Sequence, residues 1–129
     1  MEKCSMITEE LKERIRKFGI RILKMSDCLP TCYSAQVISR QITRSASSAG
    51  ANYRAACRSK SSRDFINKLK IVEEELDETE YWLSIIGEMQ FLPAERLKEV
   101  KKEVNELLSI IVKSLKTAKT NQRLKSGGN

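Results

Sequence analysis

Histidine is missing from this chain of 129 residues, and several kinds of chemistry go with it. No Ser-His-Asp or Cys-His pair can form, no zinc can take an imidazole ligand, and the Glu-x-x-His pairs of di-iron bundles cannot be built. Aromatic side chains are scarce, with one Trp, three Tyr and three Phe, and there are two Pro and five Gly. So few helix breakers in a chain that is 32% charged point to a water-soluble protein made mainly of helix formers. No apolar run approaches the roughly 18 residues needed to cross a bilayer. The start, Met1-Glu2-Lys3-Cys4-Ser5, has no apolar segment of the kind a secretory signal needs, so the expected location is the cytoplasm.

Cysteine is also sparse. Cys4, Cys28, Cys32 and Cys57 are too few and too unevenly placed to staple a fold. Cys28-Leu-Pro-Thr-Cys32 has the look of a metal or redox pair, but a zinc site needs a second pair of ligands. Plain thiols are expected, and no metal or cofactor.

What the chain does have is helical periodicity. Ile7, Leu11, Ile15, Phe18, Ile22, Met25 and Leu29 recur at three and four, one buried stripe of a first helix starting near Thr8 as N-cap. Leu29-Pro30 ends it, because the residue before proline is pushed out of the α region. A second segment carries Ile38, Ile42, Ser45, Ala49, Tyr53 and Ala56, and its centre, Ser45 to Ala51, is a run of small residues that lets another helix come close, within the bundle or between subunits. Ser61-x-x-Asp64 has the form of a capping box and opens a third helix, whose Phe65, Leu69, Val72, Leu76, Thr79, Leu83 and Ile86 keep a strict heptad, widened by Trp82 and Ile85. Past Pro93, a first-turn residue, a fourth helix shows Leu97, Val100, Val104, Leu107, Ile111, Leu115 and Ala118. Helices over about 8–27, 34–56, 62–87 and 93–119, joined by short connections, predict one all-α domain spanning 1–129, an antiparallel up-down-up-down four-helix bundle. Residues 120–129, without apolar periodicity, are expected to be a flexible tail. A core this modest makes self-association unsurprising.

Charge is laid out in blocks. Residues 1–72 hold 15 basic and 6 acidic side chains, 73–106 hold 4 and 11, and 107–129 hold 5 basic and none acidic, within a net charge of +7. The basic candidates for contact with phosphate are Arg14, Arg16, Lys17 and Arg21 in the first helix, and Arg40, Arg44, Arg54, Arg58, Lys60 and Arg63 in the second helix and the loop after it. Lys113, Lys116, Lys119, Arg123 and Lys125 could join them. Arginine suits bidentate phosphate contacts, and the loop Arg58-Ser59-Lys60-Ser61-Ser62-Arg63 lies at a helix N-terminus with free backbone N–H groups. Aromatics are not interleaved with this set, so binding should be directed at the backbone of a nucleic acid and be sensitive to salt. The acidic run Glu73 to Glu80 places Glu74 and Glu78 on one face. Without histidine or a nucleophile, pairing with arginines is the better use for it than acid-base catalysis, so no enzyme is expected. Asn52, Asp64, Glu74 and Glu78 are the candidates for a polar network or an interface, with Glu78 facing Asn52 or Arg44.

Several of these segments together resemble a known family. Gln41-x-x-Arg44-Ser45-Ala46, Asn52, Arg58-Ser59-Lys60-Ser61-Ser62-Arg63-Asp64-Phe65 and Leu69-x-Ile71-Val72-x-x-Glu75-Leu76-x-Glu78 are similar, in that order, to the bacterial four-helix-bundle proteins encoded in intervening sequences of large-subunit rRNA genes. The likeness runs from about Phe18 to Leu83. It departs at Ala55-Ala56, where Glu-Gly is usual, and at Glu74-Glu75, where Gly-Ser is usual. That family is similar in fold to the accessory variability determinant of diversity-generating retroelements. The resemblance implies a ring-like homopentamer with a basic surface, binding of RNA or DNA, and a reverse transcriptase as a partner. The resulting expectation is a non-catalytic, oligomeric, basic bundle that binds nucleic acid through phosphates. Its alternative is a protein-protein scaffold in which basic and acidic faces pair between copies.

Overall fold

A computed structural model describes residues 5–127 and places four helices in them: α1 (Ser5–Ser26), α2 (Tyr33–Cys57), α3 (Ser62–Glu88) and α4 (Ala94–Gly127). The short connections between them make successive helices antiparallel, and each packs on the next, with α4 returning to α1 by a thinner seam. Among the described residues the backbones of the diagonal pairs, α1 with α3 and α2 with α4, do not come close. The result is an up-and-down four-helix bundle.

The core is the predicted stripe of each helix. Ile15, Ile22, Ile42, Leu69, Val72, Leu76, Leu83, Ile86, Val104, Leu107 and Ile111 are fully buried, as the three-four spacing requires. At the start of α3 the inward position is taken by Ile66, not Phe65, which is half-buried. Ile7 lies outside the residues whose side chains are described. The small residues act within the bundle: Ser45, Ala46 and Ala49 are buried, and Gly19 of α1 comes so near that a Cβ there would lie 3.5 Å from the Ala46 carbonyl oxygen. On the other side of α2, the Ser45 and Thr79 hydroxyls are 2.7 Å apart, and Thr79 donates to the Glu75 carbonyl at 2.8 Å. Both buried hydroxyls are thereby satisfied, which avoids the cost of burying bare polar atoms.

Helix ends depart from the sequence reading in three places. The first helix already includes Ser5, so Thr8 is inside it and is not its N-cap. Pro93 stands one residue before α4 and accepts from Arg96 N–H, instead of lying in its first turn. The third departure is the largest: residues 120–127, expected to be a flexible tail, continue α4. No Pro and no Gly interrupts Thr120 to Lys125, and Lys125 in the last turn favours the helix dipole, so local propensity carries the helix on without a core to pack against. At 34 residues, α4 is about 51 Å long against about 40 Å for the 27 residues of α3, so it overshoots the bundle.

The two caps of α3 are well formed. Ser61 accepts from Asp64 N–H at 3.1 Å, as the capping pattern requires. At the other end, Gln90 N–H donates to the Gly87 carbonyl and Phe91 N–H to the Ile86 carbonyl, a Schellman motif with Gln90 in the left-handed region at φ 58°. That position favours glycine, because a side chain there crowds its own carbonyl. Gln90→Gly should therefore raise stability by roughly 0.5–1 kcal/mol and the thermal midpoint by a few degrees, read by circular dichroism.

Candidate nucleic-acid interface

The basic candidates divide into two groups according to what they touch. Arg14 of α1 reaches across to α4, where its Nε and Nη2 donate to the Glu103 carboxylate at 2.8 Å each and Nη2 also meets Glu106 at 2.5 Å. Arg44 of α2 does the same on α3, with Glu75 at 3.1 and 3.2 Å and Glu78 at 2.6 Å. Glu78 also accepts from the Trp82 indole N–H at 3.0 Å, and Trp82 packs edge-on against Tyr81. Each arginine thus closes a seam between helices, held by two carboxylates one turn apart. The hydrogen bonds from Trp82 and Arg44 hold the Glu78 carboxyl below the usual carboxylate range, and Arg14 does the same for Glu103.

The polar set changes accordingly. Glu78 faces Arg44 as expected, but Asn52 does not join it: its amide donates to the Ser48 carbonyl and hydroxyl one turn back on α2. Glu74 is exposed and points away from Arg44, and Glu75 takes the bidentate role, because residues 75 and 78 share the flank of α3 that turns to α2. Asp64 is at the first turn of α3, where its N–H meets the Ser61 cap.

The remaining basic residues are exposed. On α1, Arg16 pairs with Glu13 on its own helix at 3.3 Å, while Lys17 and Arg21 are in no ion pair among the described residues. Arg40, Arg54, Arg58, Lys60 and Arg63 are likewise exposed and without an acidic partner among the described residues. Arg40, Arg44, Ser47, Ala51, Arg54 and Arg58 recur at four and three along the outer face of α2. Arg54, Arg58, Lys60 and Arg63 gather where α2 ends and α3 begins, the end of the bundle from which α4 projects. Lys116, Lys119 and Arg123 add to the same end, and they and Thr120 line one shallow depression. The sequence reading missed Glu75, Glu103 and Glu106 as the partners that withdraw Arg14 and Arg44. A signal was present: each of these glutamates, like each arginine, stands immediately before an inward-facing residue.

Nothing at this surface resembles a metal centre; among the described residues no group of three or more Cys, Asp and Glu could hold an ion. Cys28 and Cys32 are exposed free thiols in the α1–α2 connection, and Arg96 approaches the Cys28 sulfur at 3.5 Å. Cys57 is half-buried, and burial pushes its thiol up; Cys4 lies outside the described residues. No helix among the described residues is long and apolar enough to cross a membrane.

The model of the family described as 23S rRNA-intervening sequence protein matches residues 9–113. Among solved structures, a protein of unknown function from the S23 ribosomal protein family of Bacteroides thetaiotaomicron is similar at 33% identity with a TM-score of 0.77, over 82% of this chain and 98% of that one. No curated protein matches.

The lowered Glu78 and Glu103 carboxyls make stability depend on pH. An unfolded chain binds their protons at higher pH than the folded one, so the stability they supply is present above the ordinary carboxylate range and is lost as pH falls through their folded values. Acidification from about pH 5 to about pH 3 should lower the denaturation midpoint, and an Arg14→Gln/Arg44→Gln variant should show a shallower loss. At neutral pH that variant should lose about 1 kcal/mol per seam, the size of well-aligned exposed pairs.

Proposed function

We propose that this chain, which belongs to the 23S rRNA-intervening sequence protein family, is a non-catalytic bundle that binds RNA or DNA through phosphate contacts. The observation that carries this reading is the sorting of its arginines. Arg14 and Arg44 are used inside the protomer, yet Arg40, Arg54, Arg58, Lys60 and Arg63 stand exposed in no ion pair among the described residues. Uncompensated guanidinium and ammonium groups gathered on one surface attract phosphate and release its counterions on contact. Ser59, Ser61 and Ser62 add hydroxyls at the start of α3, whose first N–H groups favour an anion.

A scaffold role between copies of the chain is favoured by a different surface. Tyr33, Tyr81 and Met89 are large, apolar and exposed, at 82%, 55% and 49%, at the end of the bundle away from the arginine cluster. They supply area for self-association that leaves the basic end open, so both roles fit one assembly. A ring of copies and a reverse transcriptase as protein partner are what the family resemblance implies for its assembly.

Salt titration of binding to mixed-sequence RNA and DNA tests the main reading: affinity should be measurable near about 50 mM salt and fall linearly on logarithmic axes. Replacing Arg40, Arg54, Arg58 and Arg63 by Gln should weaken binding for all sequences alike and reduce the slope by about one per lost contact. Light scattering on the same variant separates the readings: an unchanged assembly mass fits phosphate contacts, and dissociation places the arginines between copies. Binding indifferent to salt excludes the phosphate model.

A further inference from the structure

We infer that the basic end of the bundle takes double-helical nucleic acid, straddling a groove and contacting phosphates on both sides; this rests on the phosphate-binding reading above. The basic residues at that end form two ridges on helices that stand diagonally across the bundle. One ridge is Arg54 and Arg58 on the outer face of α2. The other is Lys116, Lys119 and Arg123 of α4, which continue the edge on which Lys98 and Lys101 face Ser84, Gly87 and Glu88 of α3.

Between the ridges lies the start of α3, with Lys60 and Arg63. Helix neighbours pack at 8–10 Å, so the axes of two helices that stand diagonally are about 13 Å apart, and side chains on their outer faces stand farther apart than that. A B-form major groove about 12 Å wide carries phosphates of opposite strands on its two sides, so two separated ridges can each meet one strand, whereas a single strand offers one line of charge. The overshoot of α4 puts Arg123 beyond the other helix ends, where it can follow a groove.

Two further observations agree. Stacking platforms for unpaired bases are missing here: Tyr53 is buried and Phe65 half-buried at this end, while exposed Tyr33 and Tyr81 are at the other. At the fourth corner charge is largely paired. The start of α1 stands beside the end of α2, and there Glu9 pairs with Lys12 at 2.8 Å and Glu13 with Arg16 at 3.3 Å. Matched charge draws phosphate less than bare charge does, which favours the duplex lying across α2, α3 and α4.

The test compares duplex RNA, duplex DNA and unstructured single-stranded RNA of equal phosphate number, by fluorescence anisotropy at about 50 mM salt. At least one duplex should bind about tenfold tighter or more than the single strand, and which duplex it is names the source of the phosphates. Arg54→Gln/Arg58→Gln and Lys116→Gln/Lys119→Gln/Arg123→Gln should each bring duplex affinity down to the single-strand level, with slopes reduced by about two and about three. All five side chains are exposed, and an unchanged circular dichroism spectrum checks the fold of each variant. Equal or tighter binding of the single strand, or a ridge whose loss changes nothing, overturns the straddling geometry while leaving phosphate binding intact. Binding to none of the three overturns the phosphate reading itself.

Discussion

Two arginines, each gripped by a pair of glutamates on the next helix, set what the rest of the charge on this molecule can do. Arg14 with Glu103 and Glu106 closes the thin α1–α4 seam, and Arg44 with Glu75 and Glu78 lies over the α2–α3 seam. Both use the same arrangement. The arginine precedes an inward residue, Ile15 or Ser45, and the glutamates precede inward residues too, Val104 and Leu107 or Leu76 and Thr79. A step of one residue along a helix turns the side chain about 100° from the core, which puts it on the flank, and two flanks facing across a seam bring opposite charges together. With the apolar stripe fixed, these positions follow from it.

The heptad stripes were therefore legible, and so was the bundle, because a three-four spacing sustained over six or seven turns has no other stable use in a chain with so few breakers. Which helix lies against which was less legible. Arg14 sees Glu103 across 89 residues of sequence, and that pairing exists only once α4 has returned to α1. Glu74 and Glu75 are adjacent in sequence, and the rotation of α3 that buries Leu76 and Thr79 is what turns Glu75 toward α2. Asn52 illustrates the opposite case: a local partner, Ser48 one turn back, satisfies its amide before any distant one is reached.

The end of α4 shows a rule failing for a physical reason. Apolar periodicity signals burial, and residues 120–127 have none, so a reading based on burial alone stops the helix with its last core contact. Propagation of an existing helix is much easier than nucleation of a new one, and Gln122, Arg123, Leu124 and Lys125, four good helix formers in a row, continue it in water. Leu124, 69% exposed, is the expected sign of a helix that has left its bundle. The projection is thus a consequence of local propensity, and its value for binding comes from the charges that happen to lie along it.

Those charges matter because of what the seams leave behind. Each seam sets one arginine against two glutamates, and Arg21 also acts on Glu103, so charge on these flanks is largely matched. The central acidic block, with 11 acidic against 4 basic side chains, is spent along the middle and far end of α3 and the first half of α4. Positive charge is then uncompensated chiefly where α2 ends, α3 begins and α4 projects. A polyanion approaching such a molecule meets matched charge at the seams and bare charge at the end, so the ion pairs that hold the helices together also give the field its direction.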